Sequence, residues 1–60
     1  MGRVIQKARE AKGMSREELA AELGVSVFSV MRWESGKTRP LRAFRKKLEE
    51  ILGVELESKS

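Results

Sequence analysis

The sequence predicts an all-α fold, a compact bundle of four to five short helices that contains a helix-turn-helix. Three features predict it. Apolar side chains recur at helical spacing along the chain, with no alternating strand pattern, internal repeat or low-complexity tract. Glycines sit just past the end of each periodic stretch. Residues 16 to 35, REELAAELGVSVFSVMRWES, space small and apolar side chains as two short, steeply crossing helices require.

A first helix is expected over residues 3 to 12, with Val4, Ile5, Ala8 and Ala11 on one face and Gly13 after Lys12. Met14 and Ser15 link it to a second helix over 16 to 23. Ser15 followed by Glu18 is a capping-box pattern, in which the serine oxygen satisfies a free backbone N–H and the glutamate returns the favour. Leu19 and Leu23 form the buried stripe of that helix, and Ala20 stands where two backbones can approach only over a small side chain. Gly24 can take the left-handed conformation that ends a helix, so Gly24 and Val25 make the turn. In the third helix, 26 to 34, Val30 and Trp33 share one side and face inward. Val27, Phe28, Met31, Arg32 and Ser35 fall roughly opposite. The segment SGKTRP then breaks the periodicity, with Gly36 closing the third helix and Pro40 suited to the first turn of another. A helix over 40 to 52 puts Leu41, Phe44, Leu48, Ile51 and Leu52 on one face before Gly53. Val54 and Leu56 are placed to fold back onto the core as a fifth turn, and 57 to 60 are expected to be a frayed tail.

Sixty residues with 40% apolar side chains make one small domain, residues 1 to 60, which buries roughly 60% of the surface of its unfolded chain. The chain has no cysteine and no histidine, which excludes disulfides, zinc fingers, thiolate chemistry and imidazole catalysis. No apolar run approaches a membrane span, and the N-terminus lacks the apolar segment of a signal peptide; a cytoplasmic or nucleoid protein is the expectation. Carboxylates stand on helix faces next to lysines, with no nucleophile–base set, glycine loop or metal-ligand cluster. An enzyme is not expected, nor a cofactor or metal. The formal charge of +4 and pI near 10.0 favour polyanions. Lys37, Arg39, Arg42, Arg45, Lys46 and Lys47 follow one another with no acid between them, while acids gather at Glu17, Glu18 and Glu22 and toward the C-terminus. A basic run of this kind is often only a solvated helix face. Beside a helix-turn-helix, contact with phosphates explains it better.

With these residues placed, the chain resembles the lambda-repressor-like (Cro/C1-type, XRE) DNA-binding family over about residues 3 to 56. The strings that carry the likeness are AREAKGMSREELAAELGVS, VMRWESGKTRP and EEILGVEL. Its spacing after Pro40 is also similar to the helix-turn-helix domain of multiprotein bridging factors, coactivators with this fold. The first resemblance implies double-stranded DNA as partner, with the third helix in the major groove. Base-reading positions of the family then fall on Val27, Phe28 and Arg32, with Ser26, Met31 and Ser35 nearby. Arg9 and Glu34 match a partly buried ion pair that ties the first helix to the third. Arg16 stands where the family usually has a phosphate-contacting glutamine; Lys37, Thr38 and Arg39 match its other backbone contacts, and Arg42 joins them. Many relatives are polar at positions 27 and 28, so hydrogen-bond readout is absent there and Arg32 alone offers a donor fork for guanine. Val27 and Phe28 could instead pack on thymine methyl groups.

Relatives commonly bind as dimers to half-sites about one helical turn apart, and many add a dimer-forming segment just beyond the point where this chain ends. A homodimer on DNA therefore stays open, as does a regulator against the DNA-reading part of a longer one. The competing expectation is a protein–protein adaptor on the same fold, because Val27, Phe28 and Met31 would leave an apolar patch outside. Trp33 and Met14 are expected in the core.

Overall fold

The computed structural model describes residues 1–56. Within them lie helices α1 (Gly2–Ala11), α2 (Arg16–Leu23), α3 (Val27–Ser35) and α4 (Arg42–Leu52), with no strand among the described residues. The tail expected over 57 to 60 lies outside the described residues.

Local chemistry sets where each helix starts and stops. Ser15 caps α2 in both directions: its Oγ accepts from Glu18 N–H at 3.0 Å, and its own N–H donates to Glu18 Oε1 at 2.8 Å. Gly24 ends α2 at φ 74°, a conformation that would strain any residue with a Cβ. Val25 N–H then reaches back to Ala20 O at 3.0 Å, closing the turn. Ser26 stands just outside α3, where its Oγ accepts from Ser29 N–H at 3.3 Å. It caps the helix expected to begin with it.

The first and last helices depart from expectation in register. α1 runs one residue earlier than the expected 3 to 12, because the Lys12 N–H already closes the turn onto Ala8 and Arg9 carbonyls. Its inward stripe is Gly2, Ile5 and Arg9, with Ala8 partly buried. Val4, 44% exposed, and Ala11 lie on the outer side. Gly2 explains the rotation. A Cβ there would run into the carbonyl oxygens of Trp33 and Glu34, so only glycine lets α1 seat on the end of α3. α4 starts at Arg42 and not at 40: Pro40 is fully buried beside Met1, Gly2 and Trp33, and packs instead of opening the helix. Leu41 consequently caps α4 in an extended conformation and is 70% exposed, outside the face assigned to it.

The core is assembled from every helix. Ile5, Leu19, Ala20, Leu23, Val30, Trp33, Leu48 and Leu52 are buried, with Ala8, Met14, Val25, Val27, Phe44, Ile51 and Val54 packed against them. Trp33 and Phe44 rings lie 5.9 Å apart and tilted. Beyond Gly53 the chain turns back without a fifth helical turn among the described residues; Leu56 is buried, and its N–H donates to Glu49 Oε2 at 2.8 Å. α3 packs against both α1 and α2, while α4 closes the remaining side against α1 and α2.

Ala20 is buried at 4% exposure within the core cluster, so a longer side chain there has to displace its neighbours. Ala20→Leu is expected to destabilise the domain by about 1–3 kcal/mol through overpacking, which lowers the melting temperature in a thermal circular-dichroism scan by roughly 4–8 °C per kcal/mol. An unchanged melting temperature would contradict the tight seating.

Candidate nucleic-acid interface

α3 is divided lengthwise. Val30 and Trp33 are buried, whereas Phe28 (63% exposed), Met31 (43% exposed) and Arg32 stand in solvent on the other side. Apolar residues lie on both sides of this helix, but only Val30 and Trp33 are enclosed by the rest of the core, and their burial determines which way the others point. Val27 differs from its expected partners. It sits in the first turn, directly after the tight Gly24–Val25 connection, and is partly buried against the core. The apolar patch on the outer side is therefore built on Phe28 and Met31, with Val27 at its edge. Ser26 remains exposed, although its oxygen is occupied by the cap. Ser35 Oγ donates back to Arg32 O at 3.1 Å, at the far end of the same helix.

Past α3 the chain makes a short, exposed, basic loop. Gly36 takes φ 84°, and Lys37 N–H returns to Arg32 O at 3.0 Å, so the loop starts at a fixed angle to α3. Lys37, Thr38 and Arg39 are all exposed. The loop is anchored at its other end by buried Pro40, whose carbonyl accepts from Arg45 Nη1 at 2.9 Å. Arg42 is exposed at the first position of α4. The anchoring role of Arg45 was not legible in the sequence, where it reads as one more member of a basic run.

The strongest polar feature is a cluster around one carboxylate. Arg9 is buried, and its Nε donates to Glu34 Oε2 at 2.7 Å while Nη2 lies 3.4 Å from Glu34 Oε1. Its Nη1 donates to Met14 O at 2.8 Å, which ties the α1–α2 link into the same group. The hydrogen bond to Glu34 holds the Arg9 guanidinium above its ordinary pKa, against the opposing effect of burial. Like any arginine, Arg9 is charged throughout the workable pH range. Arg16 also reaches Glu34, with Nε 2.9 Å from Oε1, and its side chain is 43% exposed against 4% for Glu34. This second arginine modifies the expectation for Arg16. The Nε–H of its guanidinium is committed to the protein, and the side chain is otherwise 43% exposed. Sequence reasoning missed the sharing because nothing in the spacing brings positions 16 and 34 together before the fold is known.

Comparison with known proteins returns a matching family model described as helix-turn-helix, over residues 5–58. Among curated proteins the chain is similar to Multiprotein-bridging factor 1c of Arabidopsis thaliana, at 41% identity over 56 residues, covering 93% of this chain and 38% of that protein. It is similar to a putative multi-protein-binding factor 1 of Yarrowia lipolytica, at 34% identity over 59 residues, 98% of this chain and 39% of the relative. Endothelial differentiation-related factor 1 of Homo sapiens matches at 30% identity over 59 residues, 98% of this chain and 40% of the relative. The chain thus spans well under half the length of the curated relatives it matches.

The ion cluster makes a stability prediction. Arg9→Met strips a nearly buried carboxylate of its closest partner and is expected to cost about 3 kcal/mol in urea denaturation, with Arg16 retaining part of the compensation. Pairing it with Glu34→Leu should recover part of that loss, because no unmatched charge is then left inside. A double variant less stable than Arg9→Met would contradict this account.

Proposed function

This chain belongs to the Cro/C1-type helix-turn-helix family, and on that premise we propose that it binds double-stranded DNA sequence-specifically as a transcriptional regulator or the DNA-reading part of one. The observation that carries the reading is the lengthwise division of α3, which leaves Arg32 exposed on the side away from the core with Phe28 and Met31 beside it. With α3 in the major groove, Arg32 donates two parallel hydrogen bonds to guanine O6 and N7. Phe28 and Met31, with the exposed part of Val27, pack on thymine methyl groups, the apolar feature of that groove. Ser26, at the tip of the helix, contributes its hydroxyl proton. Lys37, Thr38 and Arg39 in the loop, Arg16 at the start of α2 and Arg42 at the start of α4 grip the backbone on either side. Regulation then comes from occupancy, by blocking or recruiting other proteins. A homodimer on an inverted repeat is the arrangement the family makes familiar.

A second reading is favoured by the same exposed Phe28 and Met31 and by the relatives named bridging factors: an adaptor whose outward side of α3 meets a protein. The two separate in a titration of labelled duplex from a random pool at low and high salt. Four cations on phosphates give a log–log salt slope of about −3.6. Arg32→Ala should flatten the sequence preference by about 1–3 kcal/mol at one base position and leave non-specific affinity nearly intact. Absence of salt-sensitive binding would overturn the DNA reading in favour of the adaptor. Binding with an unaltered preference in Arg32→Ala would remove Arg32 as the reader.

A further inference from the structure

The Arg9–Glu34–Arg16 cluster contains one arginine more than burial of the carboxylate requires. Arg9 already matches Glu34 with Nε at 2.7 Å and a second nitrogen at 3.4 Å, and both side chains are almost wholly buried. Arg16 adds one contact through Nε from a side chain that is 43% exposed, so solvent and salt screen it more than the buried Arg9 pair. That contact does constrain geometry. A guanidinium is planar, so holding Nε against Glu34 narrows the range of directions open to the two terminal nitrogens, for which no hydrogen bond is seen among the described residues.

Resting on the DNA reading above, we infer that Glu34 is a positioning residue for DNA binding: from within α3 it holds the Arg16 guanidinium so that its terminal N–H groups are aimed at a backbone phosphate. Glu34 belongs to the helix that carries Arg32 and Arg16 to the start of α2, so the contact links the base-reading helix directly to a phosphate grip on its neighbour. The arginine side chain suits this double duty in a way lysine does not. Its five donors serve a carboxylate along one edge and a phosphate along another, whereas a single ammonium on a flexible stem has no fixed plane to align. The ordering entropy of Arg16 is spent in the free protein, and the phosphate meets a side chain already in place.

The test measures duplex affinity and its salt slope by fluorescence anisotropy for the wild-type chain, Arg16→Lys, Arg16→Gln, Glu34→Gln and the Arg16→Lys/Glu34→Gln double variant, each checked for helix content first. Arg16→Lys keeps the charge and an exposed position, so it folds as the wild type does, yet it is expected to bind about tenfold more weakly, the low end of the worth of a hydrogen bond to a charged group. Arg16→Gln should lower the magnitude of the slope by about 0.9, one phosphate contact. In the Glu34→Gln background, where one neutral oxygen is left to serve two arginines, Arg16→Lys should make a smaller further difference. Wild-type affinity and slope in Arg16→Lys would overturn the inference alone and leave the DNA reading standing. Equal losses on adding Arg16→Lys to the wild type and to Glu34→Gln would also overturn it. A wild-type chain without salt-sensitive duplex binding would overturn both.

Discussion

Everything on the outward side of α3 depends on how closely α1 and α2 approach it on the inward side. Two small residues govern that approach. Ala20 is buried in the core, and Gly2 lies where a single added carbon would strike the Trp33 and Glu34 carbonyls. A helix held on two sides at short range cannot roll, because rolling would lift Val30 and Trp33 out of contact with the core. The direction of Phe28, Met31 and Arg32 is thereby set by residues on the inward side of the helix. The glycine turns extend the same control. Gly24 fixes how α3 leaves α2, and Gly36 fixes how the basic loop leaves α3.

A domain of this size has few apolar residues to spare, and its second means of holding helices together is electrostatic. Arg9 of α1, Arg16 of α2 and Glu34 of α3 meet at one carboxylate, and Arg9 also satisfies the Met14 carbonyl in the link between the first two helices. No buried side-chain polar atom is left without a partner among the described residues. Such a cluster is directional in a way that apolar contacts are not. Leucines tolerate sliding, whereas a guanidinium on a carboxylate accepts a narrow range of positions.

Much of this arrangement could be read from the amino acids, and the exceptions share a cause. Elements defined by local chemistry were legible: the Ser15–Glu18 capping box, the left-handed Gly24 and the Val30–Trp33 stripe each follow from residues within a few positions of one another. Where a distant neighbour decides, local reading failed. Val4 looked like core because nothing near it in the chain says that Gly2 turns α1 by contact with α3. Pro40 looked like a helix start because proline favours that place; its burial beside Met1, Gly2 and Trp33 is tertiary. Leu41 was misplaced as a consequence. At the candidate interface the exposed Phe28, Met31 and Arg32 were legible from helical geometry alone, and the pairing of Arg9 with Glu34 was implied by family resemblance. The partial burial of Val27, the cap duty of Ser26 and the second arginine on Glu34 came only with the assembled fold.

The most direct test of the central claim, that the core turns one side of α3 into the binding surface, is backbone amide chemical-shift mapping during titration with a bound duplex. The account predicts the largest shifts at Phe28, Met31 and Arg32, in the loop Lys37 to Arg39 and at Arg16, with Val4 of α1 and Lys47 and Glu50 of α4 nearly unmoved. Shifts concentrated on the outer sides of α1 and α4, with α3 silent, would contradict it.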